Sequence, residues 1–238
     1  MTNSESITTS TRKSAVVVGI FFLFGFAGAI TLALTNPILD DKDFLNKISA
    51  NANQIILGAF FQFVMAVACT GIGLSLYPII KKYFAGLAMG VVASRVIESV
   101  LQIVAFIILL LLVTLSSEFV KAGVPTSSFF QTAGSMLKAG IFWFNQVAAI
   151  LAWSIGALMY YYVFYQTKLI PRWLSGWGIV GIILVVVVSM LLMFRVIAPM
   201  SQIQIVLSAP IALQELVLAV WLIVKGFNFL PDDVRRVN

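Results

Sequence analysis

The chain has no histidine, a single cysteine and few charged residues: Asp, Glu, Lys and Arg make up 10% of its 238 residues, against about 25% in a typical soluble domain. Without histidine, there can be no histidine-ligated metal, no serine or cysteine nucleophile activated by histidine, and no histidine pH switch. The lone cysteine, Cys69, lies within an apolar run, so an intrachain disulfide is impossible. We therefore expect no metal, no cofactor and no catalytic residue, and the composition disfavours an enzyme.

The chain has instead an excess of apolar residues, with 61% hydrophobic positions and a mean hydropathy of +1.05. A run of about 20 apolar residues is long enough to cross a bilayer as a helix. No linker divides the chain, so residues 1–238 are expected to form one transmembrane domain with short polar tails. The sequence predicts an all-α integral membrane protein, a bundle of about six helices spanning about 15–34, 55–80, 84–114, 139–165, 174–194 and 203–224.

Basic residues cluster at the ends of these runs, which is typical of anchoring to lipid headgroups and not of binding to nucleic acid. Their distribution is uneven: nine lie on the side of both termini and five on the other. The nine are Arg12, Lys13, Lys81, Lys82, Lys168, Arg172, Lys225, Arg235 and Arg236, and the five are Lys42, Lys47, Lys121, Lys138 and Arg195. The positive-inside rule then predicts cytoplasmic termini. Aromatic residues are expected at the same boundary, namely Tyr160, Tyr161, Tyr162, Tyr165, Trp173 and Trp177.

Three ionisable residues, Arg95, Glu98 and Glu215, fall inside predicted spans. Each costs roughly 2.5 to 3.5 kcal/mol at a helix centre, so we expect them to face the interior of the bundle. Arg95, Glu98 and Gln102 stand at i, i+3 and i+7 and share one face of the third span. Counting about 1.5 Å per residue from the basic boundary, either glutamate is at a depth that Arg95 can reach. Because two carboxylates face one guanidinium, one of them is left to take up a proton.

Further amides fall inside or near the spans. Gln214 precedes Glu215 and is grouped with the intramembrane polar site. Gln62, Asn145 and Gln146 lie toward the opposite boundary from the termini and are candidates for lining an entrance. The alternative for these three is that they bridge helices, each bond adding only about 0.6 kcal/mol of stability.

Short motifs spread along the chain resemble a family of bacterial membrane proteins known as domain of unknown function 4386. The motifs are Asn51-Ala52-Asn53-Gln54, Gly86-Leu87-Ala88-Met89-Gly90 with Ser94-Arg95-Val96-Ile97-Glu98, Ile170-Pro171-Arg172-Trp173-Leu174-Ser175, Leu213-Gln214-Glu215-Leu216 and Val224-Lys225-Gly226-Phe227. The resemblance implies a multi-helix bundle in a bacterial cell membrane, crossed several times by the chain. It implies no reaction, and Arg95, Glu98, Gln214 and Glu215 fall within the recognisable motifs.

Three functional hypotheses follow. The first is a small-solute or proton-linked transporter or binding protein that uses Arg95, Glu98 and Glu215. The second is a non-transporting structural or regulatory membrane component whose buried charges fix helix packing. The third is an intramembrane enzyme acting on lipid, with a glutamate as general acid or base. The expected partners are the lipid bilayer and a small solute or proton, and no nucleic acid.

Overall fold

The computed structural model describes residues 3–123 and 128–228, with side chains from Arg12 onward except that of Ser128. Arg235 and Arg236, used above for the orientation, lie outside these residues. Every regular element in the described part is helical. The elements are α1 (Asn3–Gly25), α2 (Ala27–Leu39), α3 (Phe44–Ala50), α4 (Ala52–Ile80), α5 (Ala85–Ala122), α6 (Ser128–Phe142), a π-helical segment (Trp143–Ala149), α7 (Ile150–Thr167), α8 (Arg172–Met193) and α9 (Gln202–Val224).

Six spans emerge, as predicted, and each is long and apolar enough to cross a membrane. They are Arg12–Leu39, Ala52–Ile80, Ala85–Ala122, Phe129–Thr167, Arg172–Met193 and Gln202–Val224. The chain is therefore a multi-pass membrane protein. Two spans are composite, because α1 and α2 meet at Phe26 and because the π-helical segment joins α6 to α7. Neither feature was predicted.

Local sequence explains several helix ends. At the start of α9 the Ser201 hydroxyl accepts a hydrogen bond from the backbone N–H of Gln204 at 3.4 Å, which caps the helix. Pro171 stands immediately before α8, where its missing N–H costs nothing. α5 ends at Gly123, whose φ of +62° lies in the left-handed region that glycine adopts without strain.

Contacts between helix ends define two ends of the bundle. At one end, Arg12 donates to the carbonyls of Ile223 at 2.7 Å and Val224 at 3.0 Å, so the start of the first span meets the end of the sixth. At the other end Lys138 donates to the Leu39 carbonyl, and Ser116 donates to the Leu45 carbonyl. We call the first the terminal end and the second the loop end. The cytoplasmic placement of the terminal end stays a prediction.

The spans form a ring. Each packs along its successor in the chain, and the sixth packs against the first. In this order the fourth span has the third and fifth as neighbours, so its contacts with the second and sixth pass through the interior. Large side chains fill that interior on the terminal-end side of the bundle, among them Phe22, Trp153, Tyr160, Tyr161 and Phe164.

α5 is the longest single helix in the described part of the chain, with 38 residues. At 1.5 Å per residue it is about 57 Å long, against about 30 Å of hydrocarbon. The third span is therefore longer than the hydrocarbon is thick. The short α3 packs against the last turns of α5. Leu45 and Ile48 of α3 are buried there in an apolar cluster with Leu112 and Phe119 of α5.

Candidate functional site

The third span carries a buried ion pair. An Arg95 Nη1 atom lies 2.9 Å from Glu98 Oε2, and the two residues are 2% and 5% exposed. The other Glu98 oxygen accepts a hydrogen bond from Gln102 Nε2 at 3.2 Å. Arg95, Glu98 and Gln102, which the i, i+3, i+7 spacing places on one face, thus form one hydrogen-bonded row on α5. We call these three residues the charged row. Glu98 is the glutamate that pairs with Arg95.

Aromatic rings surround the guanidinium of Arg95. Its central carbon lies 5.9 Å from the Phe22 ring centre, 6.0 Å from that of Trp153 and 5.6 Å from that of Tyr160. At these distances the negative faces of aromatic rings attract a cation. The first and fourth spans therefore stabilise a charge that belongs to the third.

Tyr160 connects this pair to the sixth span. Its hydroxyl accepts a hydrogen bond from Arg95 Nη2 at 3.3 Å and makes a longer one, 3.5 Å, to Glu215 Oε1. Glu215 is half-buried on α9. Within the described residues, the hydrogen bond with Tyr160 is what links its carboxylate to the other polar groups of the interior. The carboxylate left over in the charge count is therefore that of Glu215.

Gln214, the neighbour of Glu215, belongs to a different set of contacts. It is fully buried, and its side-chain oxygen accepts a hydrogen bond from the Tyr161 hydroxyl at 2.5 Å. Its Nε2 atom donates to the Leu174 carbonyl at 3.0 Å. Gln214 thus links α7, α8 and α9 by hydrogen bonds. It lies beside the Arg95–Glu98 pair and is not part of it.

Sequence reasoning misplaced Tyr160 and Tyr161 at a membrane boundary. Both are 0% exposed in the interior of the bundle, whereas Tyr162 is 48% exposed. The sequence feature that could have indicated this burial is Gly156, which lies one turn before Tyr160 and on the same helix face. A Cβ atom there would lie 2.5 Å from Ser94 Oγ, so this face packs directly on α5.

The amides toward the loop end form a layer of their own. Gln62 Nε2 donates to Asn145 Oδ1 at 3.0 Å, and Gln204 Nε2 donates to Gln146 Oε1 at 3.3 Å. We call these four residues the amide layer. It joins the second, fourth and sixth spans through the interior of the ring. The sequence singled out three of its members for this side and missed Gln204.

Two buried polar atoms of the charged row lack a hydrogen-bond partner within the described residues: Arg95 Nε and Gln102 Oε1. A buried polar group without a partner costs about 1–3 kcal/mol, so such atoms mark positions suited to water or a ligand. In the described part of the chain no three His, Cys, Asp or Glu side chains converge as a metal site would require.

Comparison with known proteins gives one result. No curated protein and no solved structure matches the chain significantly. The family model described as Domain of unknown function (DUF4386) matches residues 17–226, which include all six spans apart from the first residues of the first. The chain therefore belongs to the DUF4386 family, as its motifs suggested.

Proposed function

We propose that the chain is a proton-linked transporter or binding protein for a small solute, with Glu215 as the group that gains and loses the proton. We place it in the cell membrane with both termini in the cytoplasm, which the uneven distribution of basic residues supports. The observation that carries the proposal is the difference in pairing. Arg95 contacts Glu98 at 2.9 Å, whereas within the described residues Glu215 is linked to this pair by hydrogen bonds through the Tyr160 hydroxyl.

The charge balance supports a change of protonation at Glu215. Arg95 and Glu98 neutralise each other within one helix. A second ionised carboxylate leaves the interior with a net negative charge, which is costly where water is scarce. Protonation of Glu215 removes that charge. The groups that act on Glu215 across the interior of the ring are Arg95 and Glu98 on α5 and Tyr160 and Tyr161 on α7.

Tyr160 supplies a means of coupling. A tyrosine hydroxyl donates one hydrogen bond and accepts others. While Glu215 is ionised, Tyr160 donates to it and accepts from Arg95. Once Glu215 is protonated, its carboxyl group can donate to Tyr160, and the Tyr160 hydrogen is released toward another acceptor. A proton on α9 therefore changes the hydrogen bonds between α7 and α5.

The test is a ligand screen by thermal stability at several pH values. Wild type, Glu215→Gln and the matched control Glu118→Gln are compared in lipid nanodiscs with small ions, metabolites and lipids. Glu118 is an exposed residue near the loop end of the same helix that carries Glu98. A ligand present at 100 times its Kd raises the free energy of unfolding by about 2.7 kcal/mol. We expect a pH-dependent stabilisation that Glu118→Gln keeps and Glu215→Gln loses.

The proposal fails if no compound stabilises the wild type and the pH profile of Glu215→Gln matches that of the wild type. The second hypothesis, a structural or regulatory component, then takes its place. One observation favours it: Gln214 has both ends of its amide hydrogen-bonded and holds three spans together. The Arg95–Glu98 pair does not serve that purpose directly, because both residues lie on α5.

A further inference from the structure

The amide layer crosses the interior of the ring without a charged residue. Asn145 and Gln146, which follow one another in the chain, bond to the second and sixth spans respectively. Neither of those spans is a ring neighbour of the fourth. The layer therefore lies across the axis of the bundle, between the loop end and the charged row.

A π-helical segment holds the central two amides. Asn145 and Gln146 fall within Trp143–Ala149, where the helix is wider than an α-helix and its backbone bonds run from i to i+5. The Gln146 carbonyl also accepts a hydrogen bond from the Ser189 hydroxyl at 3.2 Å. Segments of this kind occur mostly as single turns inside α-helices and frequently mark functional sites.

Gln102 is the residue of the charged row that lies nearest to the amide layer. It lies four residues beyond Glu98 toward the loop end, about 6 Å along α5. Its Nε2 atom donates to Glu98, and its buried Oε1 atom has no partner within the described chain. Cys69 Sγ lies 3.8 Å from the same Nε2 atom, and Gln62 of the amide layer is seven residues, about 10 Å, farther along α4.

We propose that water occupies the interior between the amide layer and Gln102, and that the charged row is hydrated through it from the loop end. This inference rests on the proposed function and adds the side from which the site is reached. About three waters at a spacing of about 2.8 Å cover the distance. Amides can hold them because they both donate and accept, and they attract neither sign of ion. Gln102 Oε1 accepts from the innermost water.

Cys69 is a built-in reporter for this route, since it is the single cysteine of the chain and is buried beside Gln102. The experiment measures the exchange of its S–H hydrogen for deuterium in lipid nanodiscs transferred to heavy water, followed by the infrared S–H stretch. Wild type is compared with Gln62→Leu and Gln204→Leu. The matched control is Gln202→Leu, which alters an exposed glutamine on the same helix as Gln204.

We expect the Cys69 thiol hydrogen of the wild type to exchange in the folded protein. In Gln62→Leu and Gln204→Leu the rate falls about tenfold, the effect of one lost hydrogen bond of about 1.4 kcal/mol to the water chain. Gln202→Leu keeps the wild-type rate. Misfolding cannot imitate this result, because an opened bundle exposes the thiol and raises the rate.

The route is overturned if the Cys69 thiol hydrogen exchanges only after denaturation, or if it exchanges as fast in Gln62→Leu and Gln204→Leu as in the wild type. Failure of the proposed function looks different. In that case the Cys69 hydrogen exchanges through the amide layer, yet Glu215→Gln leaves the pH-dependent ligand effect unchanged. If the ligand effect requires Glu215 and the Cys69 hydrogen does not exchange, the function stands and the route does not.

Discussion

The third and sixth spans each carry a glutamate near the same cluster, but they hold it in different ways. On α5, Glu98 has Arg95 one turn before it and Gln102 one turn after it, and both contact its carboxylate. On α9, Glu215 is half-buried and makes one long hydrogen bond, to Tyr160. The same side chain is thus charge-compensated in one span and uncompensated in the other. Partner groups, more than depth in the membrane, therefore distinguish the two glutamates.

Removing the compensation on α5 should have the largest effect. Arg95→Met leaves Glu98 without its partner in the interior, and breaking a buried pair in this way costs about 3–5 kcal/mol. We expect a large fall in melting temperature in nanodiscs. The matched control is Lys121→Met, which breaks an exposed pair with Glu118 on the same helix. Such a pair is worth about 0–1 kcal/mol.

A double variant sharpens this prediction. Adding Glu98→Met to Arg95→Met removes the orphaned carboxylate, and well-packed apolar residues often replace a buried pair without loss. The double variant should therefore recover much of the stability. If it is as unstable as Arg95→Met alone, the cost lies in packing against the aromatic rings and not in an unpaired charge.

A smaller effect is expected from Tyr160→Phe, which removes the hydroxyl between the two spans. The loss of its hydrogen bonds should cost about 0.5–1.5 kcal/mol for each. The pH dependence of stability should change as well, because Glu215 loses its link to Arg95. The control is Tyr162→Phe, an exposed residue on the same helix. Equal pH profiles for both variants, measured by thermal unfolding, would remove Tyr160 from the coupling.

The smallest effect should come from an ion pair at the loop end, outside the membrane spans. A hydrogen bond from Lys47, then one from the Asp43 amide, lowers the pKa of Asp41 from its ordinary value. A lowered pKa in the folded state stabilises the fold above the unfolded pKa. That stabilisation is lost as the pH falls through the folded pKa. Asp41→Asn should therefore lower the melting temperature slightly at neutral pH.

The difference between Asp41→Asn and wild type should vanish in acid and shrink at high salt, because salt screens exposed charges. Thermal unfolding at several pH and salt values checks both effects. A difference that persists unchanged in acid would mean that Asp41 acts through packing of the loop and not through its charge.

The sequence was sufficient for the six spans and for the row on α5, because apolar run length and helical spacing are local properties. The pairing of Arg95 with Glu98 was not predictable, since depth alone allowed Glu215 as well. Tyr160 was assigned to the membrane boundary because tyrosine is common there and helix rotation was unknown. The π-helical segment left no sequence signal that was recognised. Gln204 was missed because it lies at the very start of its span, where a polar residue is unremarkable.

The most direct test of the account is the protonation of Glu215 itself. Infrared difference spectra of the protein in nanodiscs, taken between about pH 9 and pH 5, report the carbonyl stretch of protonated carboxylic acids, and ordinary exposed carboxyl groups titrate below this range. We expect a band in the wild type that is kept in Glu118→Gln and lost in Glu215→Gln. A band that survives in Glu215→Gln would contradict the assignment and move the proton to another group.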